Sequence, residues 1–254
     1  MKTPARILQR NAAWFPQYKP AHEIYCEYAR SFLTSQSVAV HLGAGHDSLG
    51  VVGRLNCACH RVVSVDIDRT GLAQNHNPNR VQASGTSLPL KNGSADLVMA
   101  DNVFEHLENP ATVLAECNRV LKEKGTLVFL CPNGTSYIAL VSRLTPHWLH
   151  AKFKRWFLGV AEDDTFPTYY RLNSKYAVTE LANQAGFRVE VLESYVGWPT
   201  YWEFSGTLHR VFVAVHALLE KLPSWSHITL VGVLRAEQPD TRNNSSKVTE
   251  VTHG

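Results

Sequence analysis

Short apolar stretches alternate with segments of helical periodicity through the first half of the chain. Near-continuous apolar stretches that end in glycine or in an acid are typical of strands buried on both faces, as in a parallel sheet covered by helices. The pattern therefore predicts strands at 38–42, 61–68, 80–83, 96–101 and 126–131.

The segment between the last two of these strands has the pattern of a helix. Asn109 suits the N-cap position and Pro110 the first helical position. Lys122 and Lys124 suit the negative end of the helix dipole, and Gly125 predicts the helix end. The apolar residues that recur at helical spacing are Val113, Leu114, Cys117, Val120 and Leu121. Together these signals predict a right-handed β-α-β unit.

The second half of the chain has a different order of elements. Residues 134–172 are aromatic, basic and irregular, which predicts an insertion. A helix at about 174–185, a strand at 187–195, a helix at 207–222 and a strand at 227–236 follow. We therefore predict an α/β fold with a Rossmann-like, doubly wound, mostly parallel seven-stranded sheet whose last strand is antiparallel.

Composition and charge limit the class of protein. With 254 residues, of which 44% are hydrophobic and 19% charged, the chain suits one globular domain. The expected organisation is a helical arm at 1–36, a main domain at 37–236 and a polar, disordered tail at 237–254. The net charge of +3 is small, so we expect no nucleic acid as a partner.

The cysteines and the apolar segments indicate the cellular compartment in which we expect the protein. Cys57 and Cys59 lie close together, but no second pair completes a metal site, so we expect no metal and reduced thiols. Residues 1–19 lack the apolar core of a signal peptide, and no segment has the ~18 apolar residues of a membrane span. We therefore expect a cytoplasmic protein, while the basic, aromatic segment 148–160 leaves open a peripheral membrane contact. The sequence does not indicate an oligomeric state.

Polar residues gather where the predicted strands end, which is where ligands bind to an open parallel sheet. Gly43 and Gly45 follow the first strand and allow backbone to approach a ligand. Asp66 ends the second strand and can accept hydrogen bonds from a ribose diol. A nucleoside-containing cofactor is therefore expected. A dinucleotide favours a third glycine where Ser48 stands, and Asp47 would repel its pyrophosphate, whereas S-adenosylmethionine has no phosphate.

One long block of the sequence resembles a known family. The block 87–133 contains S-L-P-L at 87–90, S-A-D-L-V at 94–98, E-H-L-E-N-P at 105–110, R-V-L-K at 119–122 and P-N at 132–133. It is similar to the central block of class I S-adenosylmethionine-dependent methyltransferases, in the type 11 group that includes quinone-biosynthesis, small-molecule and glycan methyltransferases. The resemblance covers about residues 38–195 and implies a methyltransferase that uses S-adenosylmethionine.

The resemblance also implies which residues hold the cofactor. The glycine turn would contact its methionine part, Asp66 its ribose, Ile67 its adenine, and Asp101 with Asn102 the region of its sulfonium. The full set that it implies is His41, Gly43, Ala44, Gly45, Asp66, Ile67, Ser84, Gly85, Asp101 and Asn102. The family usually has an acid at His41, glycine at Asp47 and often Asp at Ser84. Each lost hydrogen bond costs about 1 kcal/mol, which weakens such a site without abolishing it.

Candidates for the catalytic base and for binding the acceptor follow the fourth predicted strand. His106 follows the fourth strand and is the candidate general base, with a loop histidine as the alternative. Tyr169, Tyr170 and Arg171 are candidates for binding a small-molecule or glycan-type acceptor, with a lid packed on the core as the alternative. A non-catalytic binding module on the same fold, a nicotinamide-dependent oxidoreductase and an enzyme acting on a lipid-linked acceptor remain open.

Overall fold

The computed structural model describes residues 19–47, 49–55, 58–136, 166–196 and 226–237, and the single positions 139 and 218. Within these residues, seven strands form one mixed sheet in the order β3-β2-β1-β4-β5-β7-β6. The strands are β1 (Val38–Leu42), β2 (Arg61–Asp66), β3 (Arg80–Gln82), β4 (Ala95–Asp101), β5 (Leu121–Pro132), β6 (Phe187–Tyr195) and β7 (Thr229–Ala236). The α-helices are α1 (Ala21–Ser31), α2 (Val51–Leu55), α3 (Arg69–Gln74), α4 (Pro110–Val120) and α5 (Lys175–Gln184), and a 3₁₀ helix covers Phe104–His106.

The pairing of the strands confirms the predicted fold class. Strands β1 to β5 run parallel to one another, whereas β7 is antiparallel to both of its neighbours, β5 and β6. From the central pair β1 and β4, the order therefore runs through β2 to β3 on one side and through β5 and β7 to β6 on the other. The carboxyl ends of β1, β2 and β4 consequently lie at one edge of the sheet, on either side of the point where the strand order reverses.

Both faces of the sheet are apolar, which explains the near-continuous apolar strands of the sequence. Val40 and Val98 point into a core formed with α4 and α5. Their neighbours Ala39 and Leu97 point into a second core formed with α1 and α2. Because successive side chains of a strand point to opposite faces, a sheet with a core on each side needs apolar residues at nearly every position.

The junction between α4 and β5 differs from the prediction. Helix α4 ends at Val120, and β5 begins at Leu121 rather than at residue 126. Lys122 forms an ion pair with Asp96 of β4 at 2.8 Å, and Lys124, not Gly125, has the left-handed backbone conformation, with φ of 60°. Asn109 occupies the N-cap position of α4, but its side chain makes no capping hydrogen bond.

Several predicted features lie outside the described residues. These are the first part of the arm, Ser48, Cys57, the basic segment 148–160, most of the helix at 207–222 and the tail from 238. Of the described part of the arm, α1 packs against the sheet through Tyr25, Cys26 and Ala29. No helix in the described part of the chain is long and apolar enough to cross a membrane.

Candidate functional site

A cleft of about 680 Å³ opens at the carboxyl ends of β1, β2 and β4. Its volume lies in the range of ~300–1,000 Å³ that is usual for small-molecule sites. It is lined by residues 42–47 after β1, 66–67 after β2, 83–86 after β3, 101–103 after β4, 106–109 and 113 around the start of α4, and 166, 167 and 169. The cleft therefore lies where the strand order predicts a ligand.

The turn after β1 brings backbone close to the cleft. Gly43 has a φ of 68°, and a Cβ atom built on it would lie 2.1 Å from Cγ2 of Val103. The amides of Gly43 and Ala44 both donate to the carbonyl of Val65, at 2.8 and 3.1 Å. The turn is thus held against β2 on one side and against Val103 on the other, and only glycine fits at position 43.

Asp66 connects this turn to the end of β2. Its Oδ2 accepts a hydrogen bond from the amide of Gly45 at 2.7 Å, and its Oδ1 accepts one from the amide of Asp68 at 2.8 Å. A carboxylate has about four acceptor positions, so two remain for the hydroxyls of a ribose. The next residue, Ile67, is 62% exposed and lines the cleft, as a surface for a flat base would.

Two other acids near the turn have structural roles. Asp47 accepts hydrogen bonds from the amides of Val51 and Val52 at the N-terminus of α2, at 2.7 and 3.2 Å. Asp68 accepts from the amides of Thr70 and Gly71 and caps α3. Asp47 therefore places a carboxylate at the helix end where a dinucleotide would place its pyrophosphate, which disfavours that class of cofactor.

His41, which the resemblance implies as a cofactor contact, lies behind the cleft rather than on its surface. Its side chain is buried, and its Nε2 lies 2.5 Å from Oδ1 of Asp101. Asp101 and Asn102 do line the cleft, and Asn102 has a φ of 53°, a strained conformation for a residue with a side chain. His41 thus contributes to the site through Asp101.

Ser84 and Gly85 line the cleft at the end of β3. The hydroxyl of Ser84 lies 2.8 Å from that of Thr86 and accepts a hydrogen bond from the Thr86 amide. A Cβ atom on Gly85 would contact Leu42 and Val113 at 3.4 Å, which indicates close packing of this turn.

Residues 166–171, which we call the strap, are attached to the segment that follows β4. The carbonyl of Glu105 accepts hydrogen bonds from the amides of Tyr169 and Tyr170, at 2.7 and 3.2 Å. Arg171 donates to the carbonyl of Glu108 at 2.6 Å, and its guanidinium lies 5.4 Å from the ring centre of Tyr169. Tyr169 lines the cleft, whereas Tyr170 and Arg171 are not part of its lining.

His106 is oriented by the strap. Its Nδ1 lies 3.0 Å from the carbonyl oxygen of Pro167, which can only accept a hydrogen bond. Nδ1 therefore carries the proton of the neutral ring, and Nε2 has a free lone pair. Because His106 lines the cleft and about a third of its side chain is exposed, it can accept a proton from a bound molecule.

Glu105 is a buried acid beside this histidine. One of its oxygens lies 4.0 Å from Nε2 of His106, and the other, Oε2, is buried without a hydrogen-bond partner in the described part of the chain. Burial raises the pKa of this carboxyl, while its own backbone amide and His106 act in the opposite direction. Glu105 therefore holds its proton more readily than an exposed glutamate.

Phe166 and Tyr25 are among the side chains at the site that were not identified from the sequence. Phe166 lines the cleft and is 51% exposed, and Tyr25 of α1 reaches Asp101 with a 3.4 Å hydrogen bond. Phe166 lies in the aromatic segment that the sequence analysis singled out, next to residues chosen as candidates. Tyr25 is one apolar residue of an amphipathic helix, and no local signal sets it apart.

Comparison with known proteins identifies the domain that forms this cleft. Residues 40–129, which extend from β1 to β5, match the family model described as "Methyltransferase domain". The Mycobacterium tuberculosis protein named "Probable S-adenosylmethionine-dependent methyltransferase Rv3030" is 36% identical over 87 residues, which are 32% of this chain and 31% of that protein. The chain thus spans about a third of the length of the curated relatives it matches.

Solved structures show the same fold. The protein bound to the Trm112 methyltransferase activator of Haloferax volcanii superposes with a TM-score of 0.57, over 86% of this chain and 90% of that one, at 17% identity. The S-adenosylmethionine-dependent methyltransferase from Mesorhizobium loti gives 0.55, over 82% and 96%, at 16% identity. Residues 40–129 are therefore similar in sequence to proteins named as S-adenosylmethionine-dependent methyltransferases, and the solved structures show that the chain shares the fold of such proteins.

Proposed function

We propose that the protein binds S-adenosylmethionine in this cleft and transfers its methyl group to an uncharged small-molecule or glycan-type acceptor. The main support is the arrangement at the end of β2. Asp66 has two acceptor positions left beside the exposed Ile67, while Asp47 occupies the helix end that a phosphate would need. This combination suits a nucleoside that carries no phosphate.

The residues of the cleft can assist the transfer in two ways. S-adenosylmethionine supplies a methyl group on a positively charged sulfur, which keeps the bonding electron pair when the methyl group leaves. His106 can accept at Nε2 the proton that a hydroxyl or amine acceptor loses as its oxygen or nitrogen bonds to the methyl carbon. A positioned base contributes ~10²–10⁴-fold, and holding the reactants in line can contribute ~7–11 kcal/mol, so positioning is the larger effect.

The side chains at the mouth of the cleft favour an acceptor that is uncharged and has a flat face. Phe166 and Tyr169 are half-exposed there, and no lysine or arginine is among the described residues of the lining. Arg171, a candidate for binding the acceptor, donates a hydrogen bond to the Glu108 carbonyl and lies over the ring of Tyr169. Aromatic faces of this kind bind other rings, including the apolar face of a sugar.

Calorimetric titration of the purified protein with S-adenosylmethionine tests the proposal. We expect micromolar binding, and we expect Asp66→Ala to weaken it tenfold or more. The control is Asp68→Asn, because Asp68 lies two residues further on and does not line the cleft, and Asn retains its capping role. Unchanged affinity in Asp66→Ala would overturn the assignment of the ribose site. A folded protein that binds no cofactor would instead indicate a binding module on the same fold.

A further inference from the structure

Three buried polar side chains meet directly behind the cleft. The hydroxyl of Tyr25 and Nε2 of His41 both lie within hydrogen-bond distance of the same atom, Oδ1 of Asp101, at 3.4 and 2.5 Å. Tyr25 and His41 are at most 1% exposed, and the side chain of Asp101 is 11% exposed. The three residues come from α1, β1 and β4, so that the arm, the first strand and the cleft are joined at one oxygen atom.

The directions of these hydrogen bonds follow from what each group can do. Nδ1 of His41 is buried and has no hydrogen-bond partner among the residues that the structure describes. A proton on that nitrogen would be a buried donor with nothing to accept it, so we assign the proton of His41 to Nε2, from which it is donated to Asp101. Burial, followed by the nearby Asp101 charge, raises the pKa of Tyr25 well above its usual range, so its hydroxyl also donates.

Two donors to one oxygen fix the orientation of the Asp101 carboxylate. Oδ1 is engaged with Tyr25 and His41, whereas no residue of the described chain hydrogen-bonds to Oδ2. Asp101 lines the cleft, so Oδ2 is the atom that remains to interact with a ligand. A carboxylate oriented in this way, in a largely buried position, attracts a cation far more strongly than one that rotates freely in water.

We propose that Tyr25 and His41 are positioning residues that direct Oδ2 of Asp101 towards a cationic group of the bound cofactor. This inference rests on the proposed function, because it requires S-adenosylmethionine in the cleft. That molecule has two cationic groups, the sulfonium and the ammonium of its methionine part, and either is a suitable partner for Oδ2. The arm thereby takes part in cofactor recognition although its helix does not line the cleft.

The experiment uses three ligands that differ in these cations. S-adenosylmethionine has both, S-adenosylhomocysteine has only the ammonium, and 5′-methylthioadenosine has neither. Calorimetry with the wild-type protein comes first. If it binds none of the three while folded, the proposed function fails and this inference fails with it. If it binds them, the variants below test the inference alone.

The variants form a matched pair at His41. In His41→Gln the amide nitrogen can reach the position of Nε2, whereas in His41→Asn the shorter side chain cannot. We expect Asn to weaken S-adenosylmethionine binding about tenfold, which corresponds to ~1.4 kcal/mol. We expect Gln to restore affinity to within about threefold of the wild type, and Tyr25→Phe, which keeps the ring volume, to lose about threefold. Binding of 5′-methylthioadenosine should stay within twofold in every variant.

The pattern across the ligands separates positioning from a merely structural role. An equal loss for all three ligands in His41→Asn would overturn the inference, because it would mean that the cleft as a whole is disturbed. Unchanged S-adenosylmethionine affinity in both His41→Asn and Tyr25→Phe would overturn it too. A loss shared by S-adenosylmethionine and S-adenosylhomocysteine supports it with the ammonium as the partner of Asp101. A loss for S-adenosylmethionine alone supports it with the sulfonium as the partner.

Discussion

At the scale of single residues, two histidines of the site are held in opposite tautomers. His41 donates from Nε2 to Asp101, and His106 donates from Nδ1 to the carbonyl of Pro167. We expect long-range proton–nitrogen NMR spectra of histidine-labelled protein at pH 8 to show one ring of each kind. His41→Gln and His106→Gln assign the signals among the 12 histidines. The same tautomer at both sites would contradict one of the two assignments, since the Pro167 carbonyl can only accept from Nδ1 of His106 and the Asp101 carboxylate can only accept from Nε2 of His41.

Glu105 makes a further prediction at this scale, about stability and pH. Burial raises the pKa of its carboxyl in the folded protein. Below about pH 4 this carboxyl is mostly protonated in both the folded and the unfolded chain, but as the pH rises the unfolded chain ionises more readily, which favours unfolding. Glu105→Gln should therefore be more stable than the wild type at pH 7, and the difference should shrink towards pH 4. Urea unfolding at the two pH values measures it.

Glu116 provides the control of opposite sign. Arg119 hydrogen-bonds to it and lowers the pKa of its carboxyl, so its ionised form stabilises the folded state. Glu116→Gln should lose stability at pH 7, and that loss should shrink as the pH falls through the pKa of the folded state. If both variants changed the stability at pH 7 in the same direction, the burial of Glu105 and the pairing of Glu116 would not explain how these two acids affect stability.

At the scale of elements, the turn after β1 depends on one glycine. A side chain at Gly43 would collide with Val103 and would have to adopt a left-handed backbone conformation. We expect Gly43→Ala to destabilise the protein by about 1–3 kcal/mol and to weaken cofactor binding, because the turn must shift. Gly53→Ala is the control, since no described residue lies within 4 Å of a Cβ atom built on Gly53, and the residue is inside α2. It should stabilise the protein by up to about 1 kcal/mol and leave affinity unchanged.

The bounds of helices and strands could be predicted from the sequence where residues close together in the chain determine them. Strands β1 and β6 have the predicted bounds, 38–42 and 187–195. Strand β1 is a short apolar stretch buried on both faces, and β6 begins with an alternation of less and more exposed side chains, so both have a local signal. The end of α4 was predicted wrongly. The residues around Lys122 favour the last turn of a helix. Lys122 instead pairs with Asp96, which lies 26 residues earlier, and this contact favours an extended chain at Lys122. A pairing over that distance has no signal in the local pattern.

The same distinction holds for the site. Asp66 and Asp101 were identified because each directly ends a strand, and parallel strands end at one edge of the sheet. Tyr25 lies 76 residues from Asp101, and Pro167 lies 61 residues from His106. Those neighbours depend on how α1 and the strap pack onto the sheet. Asp66, Asp101 and His106 could therefore be identified from the sequence, whereas Tyr25 and Pro167, which contact two of them, could not.

At the scale of the whole molecule, the cleft exists only in the folded sheet, because its walls come from chain segments between residues 42 and 169. A ligand that binds there stabilises the folded state by mass action. At a concentration of 100 times its dissociation constant, the gain is about 2.7 kcal/mol. For a domain of about 150–250 residues each kcal/mol raises the melting temperature by about 2–4 °C, so we expect S-adenosylmethionine to raise it by about 5–10 °C.

Melting curves with NAD⁺ at the same concentration are the control for this rise in melting temperature. The carboxylate of Asp47 lies at the N-terminus of α2 and repels a pyrophosphate there, so NAD⁺ should leave the melting temperature unchanged. Asp66→Ala should reduce the shift caused by S-adenosylmethionine to about half or less, because it removes the acceptor for the ribose and a tenfold loss of affinity leaves about 1.4 kcal/mol at the same concentration. A comparable shift with NAD⁺ would favour a nicotinamide-dependent enzyme on this sheet. It would also mean that Asp47 moves away from the helix end when a ligand binds.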